Sequence, residues 1–508
     1  MSGTVASLVG YLAVVILIGV LSARRSSRSL SEFYLGGRTM SDFVVALSAV
    51  VSGRSAWLMM GVVGATFVLG VRMAWFIPGY VIAELLMFLF AARRIRRFTE
   101  RHDNVTLLDY FASRFRDESG LLRVTAAVII VVFFTAYVGA QLKAGQVMFN
   151  YLFGWESVVS GIALMALIVG FYTIVGGYRA VSITDAIQAV LMLLGLGVLP
   201  IVGFLAAGGP GEAWRTLAGL SRAAAAEGGT FSMLGFGSLA GVVSGLSIGL
   251  GSPGNPHIIV RYMSIRRAQR LRMAALVGTI WNVLLGWGAV YTGLAARALY
   301  QPATLPDPNN QAFVHMATDL FPPVLAGLML AALIAAIMST ADSQILVVSS
   351  SITRDLYEKV IRRGREVTPR AAVRLGRTWA GLVILAAGLL SWLTAAYAGH
   401  RVFSTVFSYV LLAWAGLGSS FGPPLLLSLY WRRATKAGAF ASFLTGTGGC
   451  ILWIALGLKA ATGLHEMLVG FALSLVVMIA VSLATPPPEG AAEMLAQMRS
   501  GEPSRRAG

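Results

Sequence analysis

Residues 44–62 read VVALSAVVSGRSAWLMMGV. The run is long enough to cross a bilayer, whose apolar core of about 30 Å takes roughly 20 helical residues. Yet Ser52-Gly53-Arg54-Ser55 stands in its middle. A glycine costs a helix about 1 kcal/mol against alanine. An arginine at mid-depth costs roughly 2.5–3.5 kcal/mol on insertion scales. A helix built only to anchor would carry neither. The simplest physical reason for both is a break: a few residues leave the helix, and their carbonyls and the half-helix ends face a cavity rather than lipid. The alternative at this point is a kinked helix whose Arg54 pairs with a buried carboxylate.

Composition sets the solvent. Hydrophobic residues make up 57% of the 508 and charged residues 12%, with a mean hydropathy of +0.75. Soluble domains run near 25% charged, so this is an all-α polytopic membrane protein. The N-terminal run MSGTVASLVGYLAVVILIGVLSARR has no basic stretch before its apolar part, which reads as a first membrane helix rather than a cleaved signal. The single cysteine, Cys450, excludes internal disulfides and cysteine-metal clusters. No Gly-rich phosphate loop, metal-spaced His cluster or catalytic triad stands out, so no covalent chemistry and no enzyme is expected.

Apolar runs of spanning length recur at 4–23, 42–64, 72–92, 122–152, 157–176, 183–206, 232–253, 271–297, 322–350, 371–396, 402–430, 436–457 and 464–484, thirteen in all. With the N-terminus outside, the inner side collects RRSSR (24–28), RRIRRFTER (93–101), Arg179, RYMSIRRAQRLR (261–272), RDLYEKVIRRGREVTPR (354–370), WRRATK (431–436) and the tail. That side then holds 32 of the 40 Lys and Arg; Arg72, Arg215, Arg222, Arg297, Arg401 and Lys459 lie outside, and Arg54 and Lys143 within the membrane. The bias places the chain in a cytoplasmic membrane, N-terminus out and C-terminus in. The net charge of +18 is then a topology signal and an attraction to anionic lipid, not a nucleic-acid footprint. No protein partner is evident. The outer loops 207–231 and 298–321 are long enough for surface helices or lids, and the Pro/Gly/Arg-rich tail from Pro486 reads as disordered.

A second interrupted run, GVVSGLSIGLGSPGNPH (241–257), has six glycines or prolines in the dozen residues before His257, more than a continuous helix tolerates. It opens the seventh span, and the first break lies in the second. Breaks at corresponding places in two halves point to inverted repeats around a transported solute. The repeats are read as 42–206 and 232–430, after a first helix and basic loop (1–41) and before two further spans (431–484) and the tail (485–508). Intramembrane acids follow: Asp185 near the inner end of the sixth span, and Asp342 among Ser339, Thr340, Ser343 and Gln344 in the ninth. Positions 339 and 343 share a helical face. Hydroxyls and a carboxylate there are hard oxygen ligands suited to a small hard cation; the alternative is a polar cluster gluing helices together. Glu84 and Lys143 are read as structural ion-pair partners, of each other or of Arg54 and Asp185, and His257 as a cap on the broken helix.

These stretches resemble the sodium–solute symporter family, most closely its bacterial sodium/proline branch. The resemblance is carried by SGRSAWLMMGVVGA (52–65), AYVGAQLKAG (136–145), GGYRAVSITDAIQAVLM (176–192), GNPHIIVRYMSIR (254–266) and AAIMSTADSQILVVSSSITRDLY (335–357), in the family's order, and extends to about residue 484. It implies the leucine-transporter fold, with thirteen helices and two inverted five-helix repeats. It implies a sodium site made by the carbonyls of Val51, Arg54 and Ala336 with the hydroxyls of Ser339 and Thr340. A second sodium, held by some members, would use Asp185, Ser339, Asp342 and Ser343. The solute would lie near Arg54, Ser55, Trp57, Gly61, Tyr137, Ile248, Ser252 and Asn255. The implied activity is sodium-coupled import of a small carboxylate-bearing solute, proline or a related amino acid first, with sodium as transported ion.

One departure bears on this. Proline symporters have Ser-Asp-Met-Ser-Gly-Trp where this chain has Ser-Gly-Arg-Ser-Ala-Trp (52–57). A guanidinium about 5 Å from a cation, at an effective dielectric near 20, repels it by roughly 3 kcal/mol, about a hundredfold in affinity. Either Arg54 points its fork at a substrate carboxylate, or it replaces the ion and transport is sodium-independent or proton-linked. The first is preferred, because it leaves the carbonyls free and Asp185 and Asp342 compensate the charge. A solute sensor on the same fold is a further alternative.

Overall fold

The computed structural model of the chain describes residues 2–26, 29–363, 367–396 and 403–499. Arg28, residues 364–366, Arg401 and the tail from 500, all assigned to loops or tail above, lie outside the described residues. Helix α1 (Ser2–Ser26) comes first. Ser41 then caps α2 (Asp42–Ser52), its side chain accepting from the amide of Val44. The helix stops at Gly53. One wide turn over Trp57–Val62 leads into α3 (Val63–Leu69), bent by 51° from α2. Next come α4 (Phe76–Leu86), α5 (Leu121–Phe153) and α6 (Val158–Ala206). The second break is also present: α7 (Leu239–Ser247) tightens into a narrow turn over Ile248–Gly254 and restarts as α8 (Pro256–Ser264), with Pro256 at the first helical position where its missing N–H costs nothing. The remaining long helices are α9 (Leu271–Leu299), α10 (Pro323–Ser350), α11 (Pro369–Ala396), α12 (Val406–Tyr430), α13 (Lys436–Ala455) and α14 (Glu466–Ala484). Among the described residues there is no strand.

The span count differs from the thirteen apolar runs. Among the described residues, ten helices are long and apolar enough to cross a membrane, or eleven with the bent pair α2–α3. The shortfall has two physical causes. Helix α6 has 49 residues, about 74 Å at 1.5 Å per residue, far more than one crossing. It is interrupted at Gly177, where φ is 62° and ψ −169°, a conformation only glycine adopts readily. A side chain there would also meet Phe33 at 2.9 Å. The other cause is the second break, which leaves α7 and α8 with nine residues each.

Burial orders the bundle. The apolar windows of α10 and α12 are 83% buried, against 28–39% for α1, α6, α11, α13 and α14. The first two form the centre and the others lie at the periphery of the bundle. Both long loops, 207–231 and 298–321, carry helices, Pro210–Ala226 and Pro308–Leu320. The tail departs from expectation: Ala491–Arg499 is helical. Ala491, Met494, Leu495 and Met498 are buried. They lie at i, i+3, i+4 and i+7, a one-faced helical spacing that the polar composition around it hid. Its end is held by Arg97, whose guanidinium donates to the Arg499 carbonyl at 2.5 Å, and by a 3.0 Å bond between His102 and Gln497.

Candidate functional site

The two breaks lie against one another. The His257 ring, at the start of α8, bonds the Ser52 carbonyl, at the end of α2, at 3.1 Å. His257 therefore bridges the breaks instead of capping its own helix. The second break also presses on α4: a Cβ on Gly249 would stand 2.1 Å from the Gly79 carbonyl oxygen. A bare backbone is what allows that approach.

At the end of α2, oxygens from two helices converge. The Ser339 hydroxyl of α10 lies 3.4 Å from the Val51 carbonyl and 3.2 Å from that of Ala336. Thr340 lies 3.5 Å from the Val51 carbonyl and 3.0 Å from that of Ser52. The Arg54 amide closes the turn on Val51 at 2.9 Å. Most of these separations exceed the usual hydroxyl hydrogen bond of about 2.7–2.8 Å. They match the edge between oxygens coordinating a cation of calcium size, with about 2.4 Å to the ion and hence about 3.4 Å between neighbours. All six residues are buried, so a cation there would be held by oxygens instead of bulk water.

One helical turn away, beside Ser48 and Ser343, lies the acid pair. Asp185 accepts from Ser48 at 2.6 Å and from Arg261 at 3.2 Å, with Ser52 at 3.5 Å. Asp342 accepts from Tyr172, and from Ser343 at 2.9 Å. Arg261 also donates to Ser343, so one guanidinium joins the two acids' surroundings. The four residues assigned to a second cation site, Asp185, Ser339, Asp342 and Ser343, are thus brought together, with Arg261 among them. Arg261 is 1% exposed, although the basic pattern of 261–272 put it in an inner loop.

Arg54 goes elsewhere. Its guanidinium donates to Glu84 at 2.5 Å, to Asn282 at 2.9 Å and to the Gly53 carbonyl at 3.0 Å, and stacks 3.7 Å over the Tyr80 ring. Asn282 in turn donates to the second Glu84 oxygen at 2.7 Å. Each nitrogen of the fork has a protein partner, so the preferred placement against a substrate carboxylate gives way to the buried ion pair. Glu84 has the structural pairing expected of it. Lys143 does not: its ammonium donates to the carbonyls of Phe403 and Ser404, at 2.5 and 3.2 Å, instead of to a carboxylate.

Between the breaks is a small cavity lined by Gly53, Arg54, Trp57, Tyr137, Ile248, Val410, Leu411 and Trp414. Its volume is about 10 Å³, room for roughly one water, so the walls must part to admit a larger solute. Arg54, Trp57, Tyr137 and Ile248 reach it; Ser55, Gly61, Ser252 and Asn255 do not line it. Ser55 accepts from the Trp57 amide at 3.0 Å, Gly61 abuts Phe407, Ser252 faces Glu84 at 3.4 Å, and Asn255 donates to the Gly251 carbonyl at 2.8 Å.

The model of the "Sodium:solute symporter family" matches residues 33–446. The chain is 37% identical over 479 residues to the high-affinity proline transporter PutP of Bacillus subtilis, covering 94% of this chain and 97% of that one. It is 36% identical over 490 residues to the sodium/proline symporter of Staphylococcus aureus, covering 94% and 92%. The chain belongs to the sodium:solute symporter family. Its fold is that of a Na+-coupled sialic acid symporter in a substrate-bound outward-open state, with a TM-score of 0.74, 18% identity and coverage of 96% and 99%. It also resembles the nucleobase-cation symporter Mhp1 in a closed conformation, with a TM-score of 0.51, 14% identity and coverage of 93% and 99%. As a member of this family it is a multi-pass membrane carrier of leucine-transporter type, with sodium as transported ion.

Several residues of this symporter's site escaped the sequence reading. Val410, Leu411 and Trp414 come from α12, an apolar run with nothing local to set them apart. Phe407, just before them, stacks on Trp57 at 5.9 Å between ring centroids. Gln141, whose side-chain oxygen accepts from the Ala56 amide at 3.2 Å, serves the start of the second half-helix. A glutamine inside the apolar run 122–152 was the available signal. Asn282, the third member of the Arg54–Glu84 group, offered the same one inside 271–297.

Proposed function

We propose that this chain is a sodium-coupled symporter that imports proline or a closely related amino acid. The observation that carries it is the oxygen cluster of Val51, Ala336, Ser339 and Thr340, built across the first break. A sodium ion held there would tie α2 to α10 and firm the wall on which Trp57 and Tyr137 face the solute. Supporting the choice of solute are the names of the relatives and a cavity with both polar backbone and aromatic walls. Ion and solute binding together would shift the population toward the inward-facing state, and their mutual strengthening would be reciprocal. One inward cation gains about 2.3 kcal/mol per 100 mV, and a hundredfold accumulation of a zwitterion costs about 2.7 kcal/mol.

In this reading the inverted repeats are residues 42–206 and 232–430, and the count of crossings is thirteen, with α6 crossing twice and α7–α8 forming one broken crossing. The membrane is the cytoplasmic one, N-terminus out, supported by the Lys and Arg of the inner loops, which would also meet anionic lipid headgroups. The test is uptake of labelled proline into proteoliposomes with an inward sodium gradient, then with choline in place of sodium. Uptake that collapses in choline is the expected result; uptake that persists unchanged overturns the reading.

A further inference from the structure

We infer that the guanidinium of Arg261 is the resident cation of the Asp185–Asp342 site, standing where a second sodium would have to sit. The inference rests on the symporter reading above. A sodium shared by Asp185 and Ser343 must lie between their oxygens. In this chain one terminal nitrogen of Arg261 already donates to both. The rest of the guanidinium is fixed as well: Nε donates to Ser48 at 3.1 Å and Nη1 to the His257 carbonyl at 2.7 Å. The group is therefore held by α2, α6, α8 and α10 together and buried at 1% exposure. A long side chain pinned on four helices does not swing aside at the cost of one contact. A sodium placed about 4 Å from it, at an effective dielectric near 20, would bind roughly a thousandfold more weakly.

The charges around the breaks agree with one ion. Arg54 and Glu84 cancel within their own pair. Asp185 and Asp342 face the single guanidinium of Arg261 and leave one formal negative charge. The oxygen cluster of Val51, Ser339 and Thr340 adjoins this group through Ser52, whose hydroxyl lies 3.5 Å from Asp185 and 3.4 Å from Ser343. One sodium in that cluster neutralises the whole; a second would leave it positive inside the membrane. Asp185 Oδ1, buried and without a hydrogen-bond partner, is the atom left to feel that first ion.

Two measurements test this. In proteoliposomes clamped at zero potential, a tenfold inward sodium gradient drives labelled proline to a plateau of about tenfold if one ion is coupled and about a hundredfold if two are. The expected plateau is about tenfold; a hundredfold plateau overturns the inference. No sodium-driven accumulation at all would overturn the symporter reading and this inference with it. In the second, bound radiolabelled sodium is counted per purified full chain by equilibrium dialysis, with choline holding ionic strength. The native protein and Arg261→Lys should saturate at one ion per chain, and Arg261→Met should approach two as the vacated position admits an ion. An Arg261→Met protein that binds sodium but saturates at one overturns it. Should Arg261→Met not fold, the native plateau decides.

Discussion

The ring of His257 meets the Ser52 carbonyl at 3.1 Å, and this bond joins the two broken helices at the point where each has lost its own ladder. The acceptor is a carbonyl, so Nε2 carries the proton. The Ser52 carbonyl also accepts from Thr340, at 3.0 Å. Removing a partner from a buried bond costs about 1–3 kcal/mol. His257→Ala should lower the unfolding temperature and transport together, and His257→Gln, which keeps an N–H at similar reach, should restore most of both. Equal thermal stability of all three proteins would show that the bond contributes nothing.

The Arg54–Glu84 pair is sealed by Asn282 and Tyr80. Breaking a buried pair by removing one partner costs about 3–5 kcal/mol, while replacing both by apolar groups is often neutral. Glu84→Met should therefore destabilise strongly, and the double variant Arg54→Met/Glu84→Met should regain most of the loss. A double variant as unstable as the sum of the two singles would mean that the groups act separately.

Sodium affinity should follow the hydroxyls of α10. A hydrogen-bond-scale interaction with a charge is worth about 1.5–3 kcal/mol, or roughly 10–150-fold in affinity. Ser339→Ala and Thr340→Ala should each raise the half-saturating sodium concentration by about that factor, with the proline maximum largely retained at high salt. An unchanged sodium dependence in both would remove the oxygen cluster from the mechanism.

Close packing of the second break against α12 gives a controlled comparison. A Cβ on Gly251 would stand 1.9 Å from the indole nitrogen of Trp414, which donates to the Ile248 carbonyl at 2.8 Å. A Cβ on Gly197 would meet nothing within 4 Å. Gly251→Ala should abolish uptake by displacing the cavity wall, and Gly197→Ala should leave it near native. Flux assays on matched amounts of folded protein distinguish them.

What the residues alone determined was everything governed by local cost. A bilayer makes glycine, proline and buried charge expensive at each position separately, so Gly53, Arg54 and the run 245–256 announced both breaks. The same accounting by position revealed the spans and the family resemblance carried by Asp185, Ser339, Thr340 and Asp342. Partnership was different. Arg54 could have faced solute, ion or carboxylate, and only the approach of α4 and α9 gave it Glu84 and Asn282. Arg261 looked like an inner-loop residue because its neighbours in sequence are basic, and it became part of the acid site because α8 turns back into the bundle. Trp414, Val410 and Leu411 were apolar residues in an apolar run until α12 packed across the second break. Sequence spacing fixes what a residue costs where it stands; which group meets it across the bundle depends on the packing of helices far apart in the chain.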